Sequence, residues 1–63
     1  MKMYSVEKFE LATGVTYNYG GGYTEKEIKP ILKGYKYSKE FCGKKVYKRS
    51  NGKYVFYVKE YEA

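Results

Sequence analysis

The sequence predicts a small α+β domain: a β-hairpin, one helix and a second β-hairpin (ββαββ), with an antiparallel sheet and the helix packed on one face. Three observations predict it. Leu11-Ala12-Thr13-Gly14-Val15 and Arg49-Ser50-Asn51-Gly52-Lys53 each place a glycine where a tight hairpin loop needs a left-handed residue. Between them, Thr24-Glu25-Lys26-Glu27 has the form of a capping box. Ile28, Ile31, Leu32 and Tyr35 then recur at the spacing of one helix face. The 63 residues fit one domain, 1–63, too short for a second core or a large internal cavity.

The first two strands are expected over 2–11 and 15–20. A three-residue loop closed by Gly14 sets Leu11 opposite Val15, Phe9 opposite Tyr17 and Glu7 opposite Tyr19, gathering apolar side chains on one face. Tyr4 and Val6 lie on the other parity, and a bulge near Glu7 and Lys8 reconciles the two. Gly20-Gly21-Gly22 reads as a flexible connector from sheet to helix. A glycine run before a helix can also cradle an anion, but no Gly-Lys-Ser/Thr follows, and Glu25 and Glu27 would repel one. Thr24 is the N-cap and Gly34 suits the C′ position. Pro30 conflicts with a helix interior, where it costs about 3 kcal/mol, so the helix kinks or ends there. The stretch from Tyr35 to Phe41 is ambiguous, and Gly43 stops any strand begun before it. The last two strands, 44–49 and 53–61, take the same bulged loop, with Val46 opposite Phe56, Lys48 opposite Tyr54 and Lys44 opposite Val58. A two-residue Asn51-Gly52 loop would slip that register by one and mix the faces more evenly.

The absent residue types narrow the function. There is no His, Asp, Trp or Gln, and all seven acids are Glu. The usual general bases and the commonest metal ligand are missing, so no catalytic residue, metal site or cofactor is expected and the chain reads as a non-enzyme. Cys42 stands alone, which excludes a disulfide scaffold and suits a small filler at the core's edge. Met1-Lys2-Met3-Tyr4 brings a charge before any apolar run, and no stretch is long enough to span a bilayer. A cytoplasmic protein with no membrane partner is the expectation.

Thirteen Lys and Arg against the seven acids give a net charge of +6. The bulged register of the last two strands would put Lys45, Tyr47, Arg49, Lys53 and Tyr57 on one surface, continued by Lys59 and Tyr61. Cations neutralise phosphates and tyrosine rings stack on unpaired bases, so this surface predicts a nucleic-acid-binding module, DNA or RNA. A lone Arg argues for backbone-led, weakly sequence-specific binding, because bidentate Arg–guanine contacts are the commonest specific kind. The blander account is that Lys solubilises half-exposed strands and blunts their edges. A different class of function fits the same data: a small inhibitor or adaptor, of the phage or mobile-element type, that binds an acidic host protein. Ten tyrosines exceed what so small a core can hide, and Tyr17, Tyr19, Tyr23 and Tyr35 are its candidate contacts. Exposed strand edges at 1–6 or 58–63 would allow a homodimer.

Overall fold

Tyr54-Val55-Phe56-Tyr57-Val58 is apolar or aromatic at every position, the pattern of a strand buried on both faces. In the computed structural model, which describes every residue except Asn51, this segment is the central strand of a five-stranded antiparallel sheet. The elements are β1 (Lys2–Glu10), β2 (Thr16–Tyr23), α1 (Glu25–Ile31), β3 (Lys36–Phe41), β4 (Lys44–Lys48) and β5 (Tyr54–Glu62). In space the strands run β2-β1-β5-β4-β3.

The class is α+β, and the expected ββαββ order is corrected to ββαβββ by β3, which pairs with β4. Its turn explains it. Phe41 faces Lys44, and the two residues between, Cys42 (φ 52°) and Gly43 (φ 75°), are both left-handed, as a type I′ hairpin requires. Cys42 is therefore exposed at a turn, not a filler at the core's edge. Of the edges expected at 1–6 and 58–63, β1 and β5 cover one side of each by pairing from Lys2–Glu62 to Glu10–Tyr54; β2 covers the other side of β1 from Tyr4, whereas β4 reaches only Phe56–Val58 of β5 and leaves Lys59–Glu62 paired on one side alone among the described residues.

Both hairpins differ from expectation by one residue. Near the first turn Phe9 faces Thr16, Lys8 faces Tyr17 and Glu7 faces Asn18. The loop has four residues, closed by Glu10 N–H to Val15 O and Gly14 N–H to Glu10 O, both 2.8 Å, with Gly14 left-handed. In the second, Val46 faces Tyr57, Tyr47 faces Phe56 and Lys45 faces Val58, the slipped register rather than the bulged one. Asn51, on which the choice of turn partly rests, lies outside the described residues; Gly52 N–H donates to Arg49 O at 2.9 Å. The cause is common to both: the expected registers collect apolar side chains on one face, whereas this sheet buries apolar groups on both.

On one face Val6, Phe56 and Val58 form a buried cluster with Ile28 of α1, and Ile31, Leu32 and Tyr35 pack against it. On the other, Val46 and Val55 are 2% and 5% exposed. Burying one such side chain contributes roughly 1.5–3 kcal/mol. Gly20-Gly21-Gly22 is not a connector: it lies inside β2, where two irregularities put extra residues opposite Tyr4 to Glu7. Gly20 (φ 82°) and Gly22 (φ 84°) supply the left-handed backbone. The expected β1 bulge is thus a pair of bulges on its partner.

The capping box forms as the sequence indicates. Glu27 N–H donates to Thr24 Oγ1 at 3.2 Å, and Thr24 N–H to Glu27 Oε1 at 3.0 Å. That backbone donor, then the Thr24 side chain, holds the Glu27 carboxyl below its ordinary range. The helix ends at Ile31, one residue past Pro30. Pro30 falls in its last turn, where little helix remains to be broken. Gly34 takes its left-handed φ of 85° two residues beyond the Leu32 C-cap.

Candidate nucleic-acid interface

Strand alternation divides the side chains between a face under α1 and an open face. Tyr4, Val6, Lys8, Tyr47, Phe56, Val58 and Glu60 lie under the helix, as their pairings and their closeness to Ile28 require. Glu7, Phe9, Val46, Val55, Tyr57, Lys59 and Tyr61 lie on the other side, with Phe41, Lys44 and Lys48 beside them.

Charge follows the same division. Glu10, Glu40, Glu60 and Glu62 share the parity of the helix side, and Glu25 and Glu27 are on α1 itself. Glu7 alone among the acids is on the open face. That face carries Lys36, Lys39, Lys44, Lys48 and Lys59. Lys44 reaches across β5 to pair with Glu7, Nζ to Oε1 2.6 Å. The other four make no ion pair among the described residues. Lys36 sits directly opposite Lys48 on the β3–β4 ladder, a like-charge pairing that costs stability.

Between these lysines lie two grooves. One, of ≈ 290 Å³, has Val46 and Val55 as its floor and Phe9, Leu11, Phe41 and Tyr57 as its walls, with Lys39 and Lys48 at the rim. The other, of ≈ 260 Å³, adjoins it and is lined by Glu7, Phe9, Thr16, Phe41, Lys44 and Tyr57, with Cys42 at its edge. Leu11 and Phe41 are 56% and 55% exposed. Tyr61 is engaged elsewhere on this face: its phenolic oxygen accepts Gly22 N–H at 2.8 Å and lies 3.1 Å from where a Gly21 Cβ would stand. A Cβ on residue 21 would push it back by a few tenths of an ångström.

The seven residues expected to share one basic aromatic surface are divided. Tyr57, Lys59 and Tyr61 are on the open face. Lys45 and Tyr47 are under the helix, in a ≈ 350 Å³ recess with Tyr4, Glu25, Lys29 and Glu60, where Tyr47 meets Tyr37 edge-on at 5.9 Å. Arg49 and Lys53 are exposed on the β4–β5 loop. The slipped register separates them, because one residue of slip exchanges the faces. Phe9, Phe41, Lys36, Lys39, Lys44 and Lys48 are the members that sequence reasoning missed. The Cys42-Gly43 turn would have exposed half of them by revealing β3.

The four tyrosines expected to contact a partner lie on the helix side and are partly committed there. Tyr35 packs edge-on against Phe56 at 4.8 Å, and the Tyr23 hydroxyl donates to Tyr19 O at 3.0 Å. The Lys8 ammonium stands over Tyr54, Tyr17 and Tyr19, 4.4, 5.2 and 5.4 Å from their ring centroids. The Tyr19 hydroxyl raises its pKa, lost water opposes the rise, and the charges that the Tyr19, Tyr54 and Tyr17 phenols can carry add to it. Lost water, then the Glu60 and Glu25 carboxylates, push the Tyr4 phenol up as well.

Among the described residues, no three His, Cys, Asp or Glu gather as a metal site, and no helix is long and apolar enough to cross a membrane. No family model, curated protein or solved structure matches this chain.

Proposed function

We propose that this chain is a non-catalytic module that binds single-stranded nucleic acid on the open face of its sheet. One observation carries the reading: four lysines that pair with no acid among the described residues share the open face with exposed aromatic and apolar side chains, and two of them face each other across a ladder. A face that accepts this repulsion gains from an anion that relieves it. Phosphates supply the anion, and Phe9, Phe41 and Tyr57 offer flat surfaces to splayed bases. The one Arg is on a loop away from this face, so contacts to the phosphate backbone lead and sequence preference is modest. Tyr57 and Lys59 keep the role that the sequence suggested; Tyr61 shapes the adjacent strand.

The test is binding to a fluorescent single-stranded oligonucleotide across a salt series, with protein cleared of carried-over nucleic acid. Each phosphate neutralised on a single strand contributes about 0.7 to the slope of log K against log salt, so four lysines predict a slope between roughly −2 and −3. Binding that does not change with salt, or no binding at low salt, overturns the reading.

A second reading is favoured by the exposure of Leu11 and Phe41, which suits an apolar protein partner rimmed by acids. The chain would then be an inhibitor or adaptor that docks a host protein on the same face. Leu11→Ser separates the two: it weakens a protein partner and leaves oligonucleotide binding within about twofold, because Leu11 has no charge and no stacking ring.

A further inference from the structure

We infer that the ≈ 260 Å³ recess between Phe9, Phe41 and Tyr57 is a pocket for one base, in which Glu7 favours cytosine and adenine over thymine and uracil. The inference rests on the nucleic-acid reading above and gives that surface a preference.

The recess is slightly smaller than the roughly 300–1,000 Å³ typical of sites for drug-sized ligands, a scale suited to a single ring system. Three aromatic side chains bound it, with Glu7, Thr16, Cys42 and Lys44 between them. Glu7 is held by β1 pairing on both sides and by the Lys44 ammonium at 2.6 Å. That ammonium engages Oε1; Oε2 accepts no hydrogen bond from the described residues. An acceptor oxygen and a donor ammonium thus stand side by side in one recess, with the Thr16 hydroxyl, a donor and acceptor, lining it too.

The edge of a base that fits is the complement, a donor beside an acceptor. Cytosine presents its N4 amine next to N3, and adenine its N6 amine next to N1. Thymine and uracil also offer a donor beside an acceptor, but their one N–H lies between two carbonyl oxygens, so with one carbonyl on the Lys44 ammonium the other is turned toward the carboxylate and repelled by it. Acceptance of the cytosine amine by Glu is an established pairing, and a carboxylate cannot donate to a thymine carbonyl in return. Glu7 is also a misfit if the face binds only phosphates: an acid at the centre of a basic surface weakens backbone binding. A role in reading bases accounts for its presence there.

The experiment compares 12-nucleotide dC, dA and dT strands on the intact chain by fluorescence anisotropy at one fixed low salt. Tighter binding of dC and dA than of dT, by about tenfold from one well-made polar contact, is expected. In Glu7→Gln the side-chain amide both donates and accepts, so the preference falls to within about twofold while dT binding strengthens with the loss of a negative charge. A purely structural Glu7 would lower all three affinities together. Equal affinities for dC, dA and dT in the unaltered chain overturn the base pocket and leave the nucleic-acid reading standing. Binding to none overturns both. A preference that survives in folded Glu7→Gln, checked by circular dichroism, overturns the assignment to Glu7. The comparison on the unaltered chain decides the pocket even if that variant fails to fold.

Discussion

The phenolic oxygen of Tyr61 links β5 to β2 by accepting the Gly22 N–H at 2.8 Å, and its closeness to Gly21 leaves no room for a Cβ there without displacement. Two residue-level consequences differ in kind. Tyr61→Phe keeps the ring and loses the acceptor, which costs about 1 kcal/mol. Gly22→Ala meets no atom within 4 Å, yet its φ of 84° is one an L-residue resists, and the cost is roughly 1–2 kcal/mol. Urea denaturation checks both, with a lower midpoint and an unchanged slope expected for each. An unchanged midpoint in Gly22→Ala would mean that the bulges of β2 are not the native backbone. The three-glycine run thus has a reason in sheet geometry, and it needs no anion to explain it.

The elements show which sequence signals are decisive. The capping box was legible because its two hydrogen bonds depend only on Thr24, Glu27 and the backbone between them. Gly14 was legible as a left-handed turn residue for the same local reason. The registers were not, because β5 is buried on both faces and polarity alternation gives no preferred parity along Tyr54-Val55-Phe56-Tyr57-Val58. β3 was obscured because all six of its residues are exposed, leaving no buried alternation to read. The helix carries its own prediction. Glu27 has a carboxyl pKa below its ordinary 4.5, so its stabilising contribution is fully present above that value and is lost as the pH falls through the lowered one. Glu27→Gln should therefore flatten the acid side of the stability–pH curve, and Thr24→Ala should cost about 1 kcal/mol at neutral pH. Thermal melts between neutral and acidic pH measure both. An acid limb unchanged in Glu27→Gln would remove Glu27 as its source.

At the scale of the molecule, the net charge of +6 is less informative than its distribution. Six of the seven acids are on α1 or on the sheet face beneath it, and the open face holds five lysines around one Glu. The total charge and the surplus of aromatics were visible in the sequence, and so was the pairing of Lys with Tyr near the C-terminus. Which side chains share a surface was not, because it depends on the parity of five strands at once and a single slip exchanges the faces. Hence Lys45 and Tyr47 left the candidate site while Phe9, Phe41 and Lys39 entered it. The central claim is that binding belongs to one face and not to net charge. The measurement that tests it compares two variants of equal charge for single-strand binding across a salt series: Lys39→Glu/Lys48→Glu/Lys59→Glu on the open face, and Lys26→Glu/Lys29→Glu/Lys33→Glu on the helix side. Each exchanges three lysines for three glutamates. The open-face variant should bind far more weakly and with a salt slope smaller by about 2 units, and the helix-side variant should keep both the slope and most of the affinity. Equal losses in the two variants, or a larger loss from the helix side, would contradict the assignment.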